Sequence, residues 1–163
     1  PFFYTGIAAQ AIQALKFQNK SAYARSFGHI LAEIIAPKKD LLDCILAIPM
    51  TDTDIRKRGY SQSALIARFL GERLNVPVER GNLVKIHQTE KQHFLNQEER
   101  RVNLEGAFGV RHPERLKGKS VLICDDVLTT GSTLREVAKT LNQHEVLDLY
   151  AAVISTTDHL DNL

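Results

Sequence analysis

"VLICDDVLTTGST", residues 121–133, sets four apolar residues, two adjacent carboxylates, two more apolar residues and a hydroxyl-rich turn around one glycine in a row. An unbroken run such as "VLIC" has the character of a strand buried on both faces, as in a parallel sheet. "LLDCILAIP" at residues 41–49 shares that character, and "VLDLYAAVIS" at residues 146–155 reads as a last strand. Helical patterns lie between them. Ser61 is a fitting N-cap for a helix running to about Leu74, with Ile66, Leu70 and Leu74 along one face and Asn75 and Pro77 beyond its end. A further helix is expected from Ser132 to about Gln143. Strand, helix, strand in that order requires crossover connections, so the reading is an α/β fold: an open parallel sheet with helices on both faces.

Working outward, residues 7–17 and 21–36 carry apolar residues at helical spacing, and Pro37 with the lysines after it closes the second segment. "VPVE" (76–79) and "LVKI" (83–86) read as short strands, and "MTDTDIRKRGY" (50–60) as a polar, turn-rich connection. Residues 87–105 are polar with few apolar anchors, the pattern of a short helix or a small hood or flap. The whole, 1–163, is expected to form one domain, since 163 residues suffice for one sizeable core and fall short of two ordinary ones. With 44% hydrophobic and 25% charged residues the composition is that of a globular protein, and no apolar run approaches the ~20 residues of a membrane-spanning helix. Cys44 and Cys124 sit inside apolar runs and are expected to be buried free thiols of a reducing, cytoplasmic setting. A net charge of +2 is too balanced for nucleic-acid binding across the whole surface, so any anion site is local.

The position of Asp125 and Asp126 is that of a ligand site, because open parallel sheets bind ligands beyond the carboxyl ends of their strands. The turn that follows leads into a helix whose first N–H groups have no partner within the helix, and Gly131 permits a positive φ or a close approach. Such a turn can cradle a phosphate, with the hydroxyls of Thr129, Thr130, Ser132 and Thr133 as added donors. It is not a nucleoside triphosphatase loop, because the lysine and glycine spacing are missing. Two carboxylates beside a phosphate repel it unless sugar hydroxyls or a hard cation such as Mg²⁺ intervene. A ribose 5-phosphate unit supplies both hydroxyls and phosphate.

These thirteen positions resemble the 5-phosphoribosyl 1-pyrophosphate (PRPP) signature of type I phosphoribosyltransferases. The resemblance implies that Asp125 and Asp126 hold the ribose 2- and 3-hydroxyls, with Mg²⁺ bridging ribose and pyrophosphate, and that Thr129, Thr130, Gly131, Ser132 and Thr133 bind the 5-phosphate. "LKF" at 15–17, "RKRGYSQSALIA" at 56–67, the spaced Thr89, Gln92, Leu95, Arg100 and Asn103, and "GAF" at 106–108 are together similar to the ComF family, also called the GntX or competence protein F group. Ser61 stands where that family's R-G-F/Y-N-Q segment has asparagine. The family also carries an N-terminal cysteine-rich zinc-binding module. With two cysteines eighty residues apart and no CxxC pair, that module is expected to be absent from this chain.

The pyrophosphate of PRPP needs cations facing the phosphate loop, and Arg56 and Arg58 after the first core strand are placed to supply them; the family likeness adds Lys16. Gln92, Arg100 and Asn103 of the hood are expected to face the acceptor. Thr129 takes the place of the acidic residue that hypoxanthine-type enzymes use as a base, which disfavours a purine acceptor. Two functional classes follow: a phosphoribosyltransferase of unknown acceptor, and a PRPP-binding accessory protein in the cytoplasmic handling of incoming single-stranded DNA. Nucleoside 5-monophosphates are expected as weaker ligands, and proteins of the competence machinery as partners. Arg100, Arg101, Arg111, Arg115, Lys117 and Lys119, with Phe108 and His112 among them, form the segment from which weak, sequence-independent single-strand binding is expected, with Phe108 read as core.

Overall fold

The computed structural model of the chain describes residues 2–3, 5–17, 21–86 and 104–157. A four-stranded sheet runs in the order β1 (Phe2–Phe3), β6 (Asp148–Thr156), β5 (Ser120–Leu128), β2 (Cys44–Ala47), and every pairing in it is parallel. Cys44 lies opposite Val121 and Ser120 opposite Asp148, so β5, which carries the "VLIC" run, is flanked on both sides, while β2 borders the sheet. A two-stranded antiparallel hairpin, β3 (Leu83–Lys85) with β4 (Phe108–Val110), stands apart from it.

Alternation along β5 divides the core. Leu122 and Cys124 pack against α1 (Gly6–Phe17), α2 (Ala22–Ile35) and α4 (Gln62–Leu74), with Ile12, Leu15, Phe27, Leu31, Ile66 and Leu70 all buried. Val121 and Ile123 face the other way, against Val137 and Leu141 of α5 (Ser132–Asn142) and against Leu83 and Phe108 of the hairpin. Burying one such side chain stabilises by about 1.5–3 kcal/mol, so the two clusters together hold the sheet between its helical layers. Helices α2 and α4 approach so closely that a Cβ on Gly28 would lie 2.7 Å from Cβ of Phe69.

Several boundaries differ from the sequence reading, each for a local reason. The strand expected over residues 41–49 shortens to Cys44–Ala47, because the 3₁₀ turn Ala36–Leu41, opened by Pro37, consumes its start. The supposed connection 50–60 contains a helix, α3 (Asp52–Arg58): the Thr51 side chain accepts from Asp54 N–H at its start, and Gly59 ends it at φ 80°. Acidic residues in its first turn and basic ones in its last complement the helix dipole. "VPVE" reduces to one bridge, Val78 beside Ile45, because Pro77 has no N–H and contributes only its carbonyl, to Ile45. Ser61 caps α4 as expected, and Asn75 closes it in the left-handed region. The flap expected at about 87–105 lies, but for its last two residues, outside the described residues.

Candidate functional site

Strand β5 does not stop at the carboxylates, as the sequence suggested, but runs on to Leu128. Its ladder to β6 skips Asp126: Asp125 is opposite Val153 and Val127 opposite Ser155. Around this irregularity the site is assembled from three elements. Oδ1 of Asp125 accepts from Ser63 Oγ of α4 at 2.9 Å and from Asp126 N–H at 2.8 Å. Oδ1 of Asp126, a residue only 8% exposed, receives Nζ of Lys16 from the last turn of α1 at 2.9 Å. Helix α1 is tied to the next connection one residue earlier, since Tyr60 OH donates to the carbonyl of Leu15.

Burial is the main force on Asp125: together with the Asp126 charge it pushes the carboxyl up to about 7, against the opposing pull of the Asp126 N–H, Ser63 and Lys16. A buried carboxylate pair of like charge thus has one member poised near neutrality. Beside it, burial also raises the Tyr60 phenol, with the Arg58 charge opposing. Gln62, next to Ser63 in the first turn of α4, is buried, and its Nε2 has no hydrogen-bond partner among the described residues. The thiols of Cys44 and Cys124 are free and buried; burial lifts Cys44 to about 11 and Cys124 higher still, so neither is a nucleophile at neutral pH.

The turn after β5 has the form of an anion cradle. Gly131, at φ 72°, is the N-cap of α5 and brings no side chain of its own; Ser132 N–H turns back to Thr130 Oγ1 at 3.4 Å, and Arg135 N–H donates to the Gly131 carbonyl. Thr130 Oγ1 and Ser132 Oγ are 2.8 Å apart, and the Thr130 carbonyl accepts from the Arg135 guanidinium, which holds the turn closed. Gly131 is required twice over: its φ is left-handed, and a Cβ there would come within 3.1 Å of that guanidinium. Thr129 is exposed at the rim.

The structure therefore unites Lys16, Asp125 and Asp126 directly, with residues 129–133 following on the same strand and turn. Arg56 and Arg58 lie in the last turn of α3, where the Arg58 charge acts on the Tyr60 phenol. Gln92, Arg100 and Asn103 lie outside the described residues. Ser63 and Tyr60 were not foreseen: a serine two positions after an N-cap looks like helix-start composition, and only the tertiary approach of α4 to β5 reveals its acceptor.

Residues 26–159 match the phosphoribosyl transferase domain family. The chain belongs to that family. Among curated relatives, the DNA utilization protein YhgH of Escherichia coli O157:H7 is 33% identical over 135 residues, 80% of this chain and 59% of its own length. The Competence protein F of Haemophilus influenzae is 30% identical over 138 residues, 81% of this chain and 60% of its own. The chain thus spans about three fifths of the length of these relatives. Among solved structures, the allosteric regulatory enzyme of purine biosynthesis aligns with a TM-score of 0.53 at 19% identity, over 81% of this chain and 25% of that one. A purine phosphoribosyltransferase from Pyrococcus horikoshii Ot3 aligns with a TM-score of 0.50 at 19% identity, over 82% of this chain and 73% of that one. The fold is that of the type I phosphoribosyltransferases, as "VLICDDVLTTGST" led us to expect. No helix among the described residues is long and apolar enough to cross a membrane.

Proposed function

We propose that the protein binds PRPP with Mg²⁺ and transfers its phosphoribosyl group to a nucleophile, in the service of DNA use in the cytoplasm. The observation that carries this reading is the join of two parts: a buried carboxylate pair, each with one oxygen already held by protein, and a glycine-capped helix start directly after it. The oxygens left over, Oδ2 of Asp125 and of Asp126, suit the two ribose hydroxyls, and residues 129–133 suit the 5-phosphate. A nucleoside 5-monophosphate meets the same two subsites and binds more weakly, having nothing for the pyrophosphate end.

Arg56 and Arg58 take the pyrophosphate, joined by Lys16, whose four-carbon stem lets its ammonium exchange Asp126 for a phosphate oxygen. The donor chemistry fits Mg²⁺, a hard cation that commonly keeps its waters and uses one or two carboxylates with substrate phosphates; Asp125 and Asp126 would hold it through PRPP, where it supplies charge neutralisation to the leaving pyrophosphate. The chain's own contribution is positioning and electrostatics: carboxylates fix the ribose, the turn fixes its phosphate, and C1 is held for in-line attack. Gln92, Arg100 and Asn103 select the acceptor. A PRPP-binding accessory protein without turnover is the second reading, supported by relatives named for DNA utilization and competence.

Calorimetry with PRPP and Mg²⁺ is the test. Binding is expected, and Asp125→Ala with Asp126→Ala is expected to lose charge-assisted hydrogen bonds of about 1.5–3 kcal/mol each. An absent heat and an absent thermal shift at millimolar PRPP would overturn the proposal. Release of pyrophosphate from PRPP on adding nucleobases, amines or DNA separates transferase from accessory protein.

A further inference from the structure

We propose that the outer face of α2 and α4, with the turn after α4, binds single-stranded nucleic acid by its phosphates, through Arg25, Arg68 and Arg80. This deepens the DNA-handling part of the reading above and stands apart from the PRPP site. The face is built around Phe69. The guanidiniums of Arg25 and Arg68 lie 5.2 and 5.3 Å from its ring centroid, and His29 meets it edge-on at 6.5 Å. Phe69 is itself fixed against Gly28 of α2, so the ring is a rigid mount that holds two exposed arginines close together. Cation–π contact of this kind lowers the ordering cost of fixing an arginine on a ligand.

The charge is unbalanced. Glu72 accepts from Arg68 Nε at 2.7 Å, and its carboxyl is held below the usual range by that bond and by the charges of Arg68, Arg80 and Arg25. Glu72 thus stands among three guanidiniums, while an ion pair that joins the two helices, Arg73 to Glu33 at 3.0 Å, is balanced. Arg68 and Arg80 also line one groove of about 350 Å³, together with Glu72, Asn75 and Pro77. Arg111 extends the band, its guanidinium lying beside Gly81. A flexible single strand can bring successive phosphates onto arginines clustered on one helical face.

Apart from Arg111, the basic segment singled out from sequence is a poorer candidate. Lys117 is paired with Glu145 at 2.9 Å, Arg115 with Glu79 at 3.7 Å and His112 with Glu114 at 3.3 Å. Phe108 is core, 5% exposed, so it offers no stacking surface. Arg100 and Arg101 lie outside the described residues. The start of α4 that meets Asp125 is five residues from Arg68, about 7–8 Å along the helix, so the two sites share a helix without sharing residues.

Fluorescence anisotropy of a labelled oligothymidylate across a salt series is the test, with PRPP thermal shift measured on the same proteins. Arg25→Glu with Arg68→Glu and Arg80→Glu is expected to weaken binding at least about tenfold and to lower the log–log salt slope by about 2, at about 0.7 for each phosphate no longer bound. Arg115→Glu with Lys117→Glu is expected to stay within about twofold. If the triple variant misfolds, Arg25→Ala with Arg68→Ala replaces it, with a slope lower by about 1.4 expected. Absence of wild-type binding at low salt, an unchanged triple variant, an equal loss from the Arg115 and Lys117 pair, or equal affinity for a duplex would each overturn the proposal. A PRPP response that fails in the wild type counts against the phosphoribosyl reading alone.

Discussion

Helix α4 meets two kinds of electrostatics along its length. At its start, Ser63, 4% exposed, donates to a carboxylate that is itself neighbour to a buried Lys16–Asp126 pair. Two turns on, Arg68 and Glu72 form a pair of similar length, 2.7 Å, whose side chains are 49% and 54% exposed. The bond lengths are nearly the same and the consequences are opposite. In the inner cluster each charge is largely withdrawn from water, so geometry is enforced and a missing partner is costly. On the outer face water and salt screen every charge, and a pair contributes about 0–1 kcal/mol at most. The first environment suits a small ligand with groups at fixed positions; the second suits a long polyanion whose affinity depends on ionic strength.

The comparison is broken most directly at Lys16. Lys16→Met keeps the length of the side chain and leaves Asp126 buried without its cation. Removing one partner of a buried pair costs about 3–5 kcal/mol, and with 21% of the lysine side chain still exposed we expect the lower end, about 3 kcal/mol. For a chain of this size that corresponds to a melting temperature lower by roughly 6–12 °C. A loss under about 1 kcal/mol would place the pair with the surface ones and remove the contrast.

Asp125 sharpens the contrast through pH. Its carboxyl stands at about 7 against an ordinary 3.8, so between those values the folded protein holds a proton that the unfolded chain has released. Stability from this group is complete below pH 4 and is lost as pH rises through 7. Asp125→Asn keeps an acceptor for Ser63 and for Asp126 N–H while abolishing the titration. The variant should therefore match the wild type near pH 4 and exceed it above pH 7 by about 2 kcal/mol, roughly half the unscreened value because Asp125 keeps some contact with solvent. Urea unfolding at both pH values measures the gap. A gap that opened towards acid instead would mean the carboxylate is stabilised by its surroundings.

The same division explains what could be read from the sequence. Buried strands announce themselves, because "VLIC" and "CILA" have no polar position to spare, but the order in which they pair is visible only in the sheet. Ser61 and Asn75 mark α4 because caps are local chemistry. Helix α3 is missed for the converse reason: none of its seven residues is buried, so it has no apolar period, and its evidence lies in Thr51 and Gly59. β4 is three residues long, with a glycine at its centre, and becomes a strand only by pairing with β3. In the site, Asp125, Asp126 and the 129–133 turn were legible because one continuous segment carries them. Ser63, 62 residues away in sequence, depends on how α4 packs against β5, which no local pattern encodes. The arginine face was invisible likewise: Arg25 and Arg68 are ordinary exposed helix residues until Gly28 lets α2 and α4 close on Phe69.

The smallest expected effect tests the outer face from the opposite direction. Glu72→Gln removes the one carboxylate set among Arg25, Arg68 and Arg80 while keeping its shape and an acceptor for Arg68. Because the Glu72 side chain is more than half exposed and its ion pair lies on the surface, the melting temperature should not change measurably. Oligothymidylate affinity should nonetheless rise roughly two- to fivefold at low salt, since one repulsive charge close to the phosphates is gone. The gain should vanish towards 1 M salt, where charges are screened beyond about 3 Å. Weaker binding would carry a different message: Glu72 would then be holding Arg68 in the orientation that phosphate needs, and the outer face would depend on fixed geometry as the buried cluster does.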